Sequence, residues 1–518
     1  MHRLVIASVT LLGLTGAAFL GAYLFLFGAA TDRASALAPA DSAFYANVYL
    51  RPSAGQQMNL GQLIGRLPGF ADEASLDDKV DQIVQNLLAE TGVDYREHVK
   101  PWLGDQVAVA GWPNAEDPTQ SPAVVIAEVK DRAAAETSLA DLADGSAEPS
   151  TYEGVEVQPV EGGAYAFLGE MLVFGSDAES VHAVIDTSNG GPSLADDEQF
   201  VAAMADLEED HLASAFVDVA SVAAAGDVEE QFGSLATASA VLVAEEDGLR
   251  LSGSAPFDSA EAGASARDQF ALGSEPSSLV DWMPDGTLAE IVVFGLRQTL
   301  EDAETAIANV PEGEELTSSL DTLRAIAAFG LGIDLDTDVL PLLDREVAVA
   351  LTGLEGGMPS GQLLLRPDDP VAAGEALDRI AERLTAIGAT STTDDVDGTE
   401  VTTLALPDTG EVAYAVVDDI VILGFGIDDV TASIEAHGSG ASLGASEPYR
   451  RAFGVAGARA GTEAYVDIGA LVDLFGDGLD LPADARDILS SVGSVALTAP
   501  SSEDKIEFHA VVTVEEAE

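Results

Sequence analysis

The sequence predicts an α+β protein: an N-terminal transmembrane helix followed by two tandem homologous domains, each a mainly antiparallel sheet packed with helices. Three observations predict it. An uncharged segment runs from Leu4 to Ala30, long blocks of sequence recur later in the chain in the same order, and short apolar strands joined by turns alternate with stretches of helical period.

The first element, "LVIASVTLLGLTGAAFLGAYLFLFGAA", has 27 residues without a charge. As a helix it would be roughly 40 Å long, against a hydrocarbon core of about 30 Å. A cleaved signal peptide has an apolar stretch of only about 7–15 residues, so the length favours an uncleaved anchor. Small residues at Gly28 and Ala30 are compatible with cleavage, which would make the protein secreted. With Arg3 and the amino terminus kept in the cytoplasm, the expected location is the cell membrane, single-pass, with the C-terminal body outside the cytoplasm.

The duplication is read from three blocks. "AYAFLGEMLVFGSDAESVHAVI" from Ala164 matches "AYAVVDDIVILGFGIDDVTASI" from Ala413, 249 positions later, and "SAFVDVAS" from Ser214 keeps that offset to "EAYVDIGA" from Glu463. "VDYREHVKPWLGDQVAVA" from Val93 aligns on "IDLDTDVLPLLDREVAVA" from Ile333, with eight identities in eighteen positions. A repeat of this length is a whole domain rather than a solenoid unit. The expected organisation is residues 1–38 as anchor or signal and short linker, 39–265 as the first repeat and 266–515 as the second.

Each copy opens with a strand after a Pro-Ala-Asp or Pro-Asp-Gly turn, "SAFYANVYL" from Ser42 or "TLAEIVVFGL" from Thr287. A helix follows, with Val80, Ile83, Val84, Leu87 and Leu88 on one face and Gly92 as its cap; Leu320, Leu323 and Gly332 repeat it. Then come the strands "QVAVAGW" and "AVVIAEV", and a helix over 131–144, matched by one over 370–387. The next strand ends near Gly175 and feeds a helix near Asp177. The "FVDV" or "YVDI" strand, another helix and a final hairpin close the copy. Short turns between neighbouring strands call for antiparallel pairing.

With 90 acidic residues against 22 basic ones, the formal charge is -68. Such a surface repels nucleic acid and anionic lipid head groups, so no nucleic-acid partner is expected; the composition is of the halophilic type, self-repelling and salt-soluble. Cysteine is absent, which removes disulfides, thiolate metal sites and cysteine nucleophiles.

"LAPADSAFYANVYLRPS", "LIGRLPGF", "HVKPWLGDQVAVAG" and the later "DVLPLLDREVAVAL" and "VAYAVVDDIVILG" resemble the exported prokaryotic family catalogued as domain of unknown function 3352. The resemblance implies an N-terminal membrane segment or signal and an extracytoplasmic body. It brings no activity, cofactor or catalytic residue with it.

The candidate sites are weighed against structural roles. "TTDDVDGTE" from Thr392 has Asp395, Asp397 and Gly398 at the spacing of a calcium loop, but an EF-hand's first and twelfth positions would be Thr393 and Leu404; a tight turn accounts for it. Asp218 and Asp467 each end an apolar strand and precede helical spacing, so both are expected to cap helices, with half of a catalytic carboxylate pair as the alternative. The six histidines show no metal-ligand spacing, and neither a GxSxG elbow nor a phosphate loop occurs. Trp102, Tyr165 and Tyr414 are the aromatic candidates for lining a ligand pocket. No cofactor is expected.

The expected function is that of a membrane-anchored extracytoplasmic binding or scaffolding module of the cell envelope. Its ligand would be a lipid, a peptide or another envelope protein. The alternative is a carboxylate-dependent extracytoplasmic hydrolase.

Overall fold

The computed structural model describes residues 32–67, 94–113, 121–142, 148–160, 162–226, 235–257, 274–308, 332–355, 358–406, 410–475, 489–502 and 504–515, with residues 85, 272, 322, 324, 325 and 328. The chain divides into two compact units. The first is Met1–Glu261 with Asp504–Phe508 and Glu516–Glu518, and the second is Ala262–Glu503 with His509–Glu515.

In the first unit the strands are β1 (Phe44–Tyr49), β2 (Leu103–Gly111), β3 (Ala123–Val129), β4 (Ser150–Tyr152), β5 (Val155–Val160), β6 (Gly163–Leu168), β7 (Met171–Gly175), β8 (Ala213–Asp218), β9 (Thr237–Ala244) and β10 (Gly248–Pro256). The helices are α1 (Ala54–Arg66), α2 (Arg132–Leu142), α3 (Ala178–Ser188), α4 (Glu198–Ala205) and α5 (Val219–Gly226). The strands pair antiparallel in the order β4-β5-β6-β7-β3-β2-β1-β8-β9-β10. Alternation along β1 turns Tyr45, Asn47 and Tyr49 inward. Helix α3 begins at Asp177, whose carboxylate accepts from Ser180 N, and buries Val181, Val184 and Ile185. These join Tyr45, Ile126, Val173, Phe200 and Phe216 in the larger apolar cluster of the unit.

In the second unit the strands are β11 (Ala289–Phe294), β12 (Glu346–Glu355), β13 (Met358–Arg366), β14 (Thr390–Val396), β15 (Thr399–Leu406), β16 (Gly410–Val417), β17 (Ile420–Gly424), β18 (Thr462–Asp467), β19 (Val492–Ala499) and, from His509 onward, β20 (Lys505–Val514). The helices are α6 (Leu296–Ala308), α7 (Pro370–Ala386), α8 (Ile427–Ser439), α9 (Glu447–Ala456) and α10 (Ile468–Phe475). The antiparallel order is β14-β15-β16-β17-β13-β12-β11-β18-β19-β20. Helix α7 starts on Asp369, which accepts from Val371 N and Ala372 N, with Pro370 in the first turn. It buries Ala373, Ala376, Leu377 and Ala381 along one stripe.

Gly175 and Gly424 end β7 and β17, where each chain turns back at once into a helix. A Cβ on Gly175 would lie 2.8 Å from Val181 Cγ2, and one on Gly424 would lie 2.5 Å from the Cβ of Asp429, so only glycine allows so close an approach. The Asp397-Gly398 pair is a two-residue hairpin turn between β14 and β15, with φ of 51° and 86°, and Glu153-Gly154 turns β4 into β5 at 46° and 86°.

The expected membrane anchor is corrected. Among the described residues no helix is long and apolar enough to cross a membrane. The longest of them, α7, has 17 residues, roughly 25 Å, and carries Glu375, Asp378, Arg379, Glu382 and Arg383. The segment 4–30 lies outside the described residues. Attachment to a membrane through an N-terminal helix, the signal anchor, the single-pass topology and the extracytoplasmic placement derived from it are therefore not supported. Residues 32–38 also differ from the expected linker: Ala34, Ser35 and Ala38 are buried in the first unit, and Asp32 and Arg33 bond to its sheet. The helix expected through Val80–Leu88 and the cap at Gly92 lie outside the described residues, as do Leu320 and Leu323.

Candidate functional site

In an antiparallel sheet, residues opposite one another share a face, so register alone shows which side chains meet. On β11, Glu290, Val292 and Phe294 point into the main apolar cluster of the second unit. Val292 lies opposite Glu463 of β18, and Phe294 lies opposite Glu346 of β12. Three glutamates thus enter one buried face. Among the described residues the buried acids are these three and Asp338, all in the second unit.

Glu463 is fully buried. Its Oε2 accepts from Arg459 Nε at 3.0 Å and from the Tyr449 hydroxyl at 3.0 Å. Ser277 N donates to its other oxygen at 3.4 Å. Glu346 accepts from Arg366 Nη1 and from the Ser277 hydroxyl, both at 2.8 Å. Arg366 also reaches Asp419 at 3.0 Å, and Arg459 donates a second bond to Ser277 O and lies over the Tyr449 ring. Glu290 is different: neither carboxylate oxygen has a hydrogen-bond partner among the described residues. Burial, then the neighbouring Glu463 charge, pushes its pKa up to about 8, and Arg459 only partly opposes this. Burial also raises Glu463, against the pull of Arg459 and Tyr449.

In the first unit the equivalent register positions hold Tyr45, Gln106 and Ser214, with Asn47 where the second unit has Val292. There the hydrogen bonds run to Asp32: the Tyr45 hydroxyl and Gln106 Nε2 each donate to its Oδ1 at 2.7 Å, and Gln106 Nε2 also reaches Asn47 Oδ1 at 2.8 Å. Arg33 pairs with Glu128 at 2.7 Å on the adjoining strand. The same sheet thus carries a mainly neutral set in one unit and an acidic set in the other.

The side chains singled out from sequence lie elsewhere. Asp218 Oδ1 accepts from Ser221 N at 2.9 Å, and Asp467 Oδ1 accepts from Ala470 N at 2.8 Å, both at first turns of helices. Trp102 and Tyr165 meet in one apolar cluster with Val129, Ala135 and Leu172, and the Trp102 indole donates to His98 O. Tyr414 packs with Leu365, Leu377 and Val421, and its hydroxyl donates to Asp378 at 2.9 Å. His182 stacks on Tyr152, and His437 on Trp282. Among the described residues no group of three or more histidines or acids could hold a metal.

Sequence reading missed the three buried glutamates, although a signal was present. In "AEIVVF" and "EAYVD" the acid falls in phase with the large apolar residues instead of opposite to them. The fourth buried acid, Asp338, accepts from Arg379 and Arg383 of α7, each at 3.1 Å, and from Asp334 N at 3.0 Å.

A second feature of the second unit lies on the opposite sheet face. Leu363, Val349, Ile291, Ala464 and Leu497 form one cross-strand row. Helix α7 covers the β14–β17 side, while Ile291, Val349 and Leu497 remain 47%, 50% and 38% exposed.

A family model described as "Protein of unknown function (DUF3352)" matches residues 4–512. Among solved structures, crystal form III of TP0453 is 13% identical, with 46% of this chain and 86% of that chain covered and a TM-score of 0.25. Crystal form IV is 12% identical, covering 44% and 81% with a TM-score of 0.25. No curated protein matches the chain.

Proposed function

The chain belongs to the DUF3352 family of proteins of unknown function, and from that premise we propose a binding or scaffolding protein made of two copies of one α+β unit. The repeated strand order supports the duplication, and the unlike buried polar sets support a role that does not depend on shared catalytic groups. An acid-base pair must reach its substrate. Glu290 and Glu463 are 4% and 0% exposed, which weighs against the hydrolase alternative.

The observation that carries the binding reading is the exposed row of Ile291, Val349 and Leu497. Large aliphatic side chains aligned on one open sheet face mark an interaction site rather than scattered exposure. With a net charge of -68, the fitting partner is a polypeptide segment with an apolar centre and a basic rim. Native mass spectrometry and thermal shift with a basic amphipathic peptide and its acidic analogue test this. Wild type should retain the basic peptide, and Ile291→Asp/Val349→Asp should lose it at unchanged melting temperature. Equal behaviour of both proteins towards both peptides would refute the assignment.

A further inference from the structure

One cross-strand row beneath α8 reads Thr403, Ala413, Gly424, Gln362, Ala350, Glu290, Tyr465 across β15, β16, β17, β13, β12, β11 and β18. Glu290 and Gln362 stand two strands apart, about 10 Å between backbones, and face the same side of the sheet. Only the methyl of Ala350 lies between them in the row. Gln362 is oriented by α8, since its Nε2 donates to Asp429 O at 3.2 Å. Its Oε1 is left as a buried acceptor with no donor among the described residues, as are both oxygens of Glu290. The free amide oxygen of Gln362 and the carboxylate oxygens of Glu290, all of them acceptors, therefore flank one methyl, and an ionised carboxylate there gains nothing from that amide oxygen.

We propose that Glu290 is held as a neutral carboxylic acid whose hydroxyl donates to Gln362 Oε1, so that one dissociable proton ties β11, through Gln362, to helix α8. The proton satisfies an oxygen at each end of the gap. It also balances the buried charge: Glu463 is matched by Arg459 and Glu346 by Arg366, and Glu290 is the glutamate of the three with no cation bonded to it. The raised pKa agrees with this placement.

The groups around Glu290 leave it the site of the proton. From β18, Glu463 faces it with its bonds already made, and Tyr465 is a phenol that burial holds above its ordinary range. From α9, Tyr449 donates to Glu463 and is likewise raised. Arg459 lies before β18 and also feels Asp281. From α8, Asp429 presents its main-chain carbonyl to Gln362, while its carboxylate accepts from Phe425 N. In the first unit this row has Tyr45 in place of Glu290 and Val124 in place of Gln362, so the acid–amide pair belongs to the second unit alone.

The sign follows from linkage. In the unfolded chain the carboxyl ionises near the ordinary value of 4.5, and in the folded unit near 8. The contribution to stability is complete below the unfolded value, falls as pH rises between the two, and is gone above the folded one.

Infrared difference titration of the full chain tests this. Wild type should keep a protonated-carboxyl stretch at about pH 7, where exposed acids are ionised, and lose it near pH 8. Glu290→Gln should remove that band and flatten the pH dependence of amide exchange in α8. Gln362→Leu should lower the midpoint by about one pH unit, the equivalent of one hydrogen bond. Absence of the band at about pH 7, or its survival in Glu290→Gln, would overturn the proposal. If Glu290→Gln fails to fold, Gln362→Leu decides: an unmoved midpoint overturns the hydrogen bond and a lowered one supports it.

Discussion

Arg459→Ala tests the buried charge network most directly. The guanidinium makes two bonds inside the second unit, to Glu463 Oε2 at 3.0 Å and to Ser277 O. At that separation the Coulomb attraction is about 5 kcal/mol for an effective dielectric near 20, part of which offsets the cost of burying Glu463. Removing Arg459 leaves Glu463 buried, with Tyr449 and Ser277 N as donors but no cation. Breaking a buried pair from one side costs about 3–5 kcal/mol.

The loss should depend on pH. Burial already raises the Glu463 pKa and Arg459 opposes it, so without Arg459 the pKa rises further and the acid accepts a proton. A raised group contributes stability below its unfolded pKa and loses it as pH climbs through the folded one. Arg459→Ala should therefore be more damaging at about pH 8 than at about pH 5, by more than 1 kcal/mol. Urea unfolding followed by amide exchange of β18 measures it, with Glu463→Gln and the double variant completing a cycle. A loss under about 0.5 kcal/mol, or an equal loss at both pH values, would refute the reasoning.

Two further outcomes are expected. Asp338→Asn should destabilise by about 1–2 kcal/mol at neutral pH; despite burial, the Asp334 amide and the two arginines hold the Asp338 pKa below its usual value, so this contribution fades as pH falls through that lowered pKa, and acid-range urea midpoints of wild type and variant should converge. Gly424→Ala should cost more than about 2 kcal/mol because its Cβ meets Asp429, whereas Gly65→Ala on α1, with nothing within 4 Å, should stabilise by up to about 1 kcal/mol; melting temperatures of the pair check both.

Much of the fold was legible because the signals are local. The alternation in "FYANVY", the turn at Asp397-Gly398 and the Asp177 start of α3 each follow from a few neighbouring residues. Helix α4 and the π-helical turns at Tyr95–Val99 and Leu335–Val339 were not read, since short elements of this kind depend on the surface they pack against. The apolar segment at 4–30 lies outside the described residues, and among the described residues no helix is long and apolar enough to cross a membrane.

By itself the sequence determined the α+β class, the antiparallel pairing and the family, because turn chemistry and side-chain period constrain the backbone wherever they occur. Only the tertiary structure decided that β3 pairs with β7 instead of β4, and β13 with β17 instead of β14, and that β11 and β13 flank β12, which puts Gln362 and Glu290 in one row of the second unit. Their sequence separation says nothing about that. Whether an acid on a strand faces water or a neighbouring amide depends on strands that arrive from far along the chain, and on the helix that closes over them.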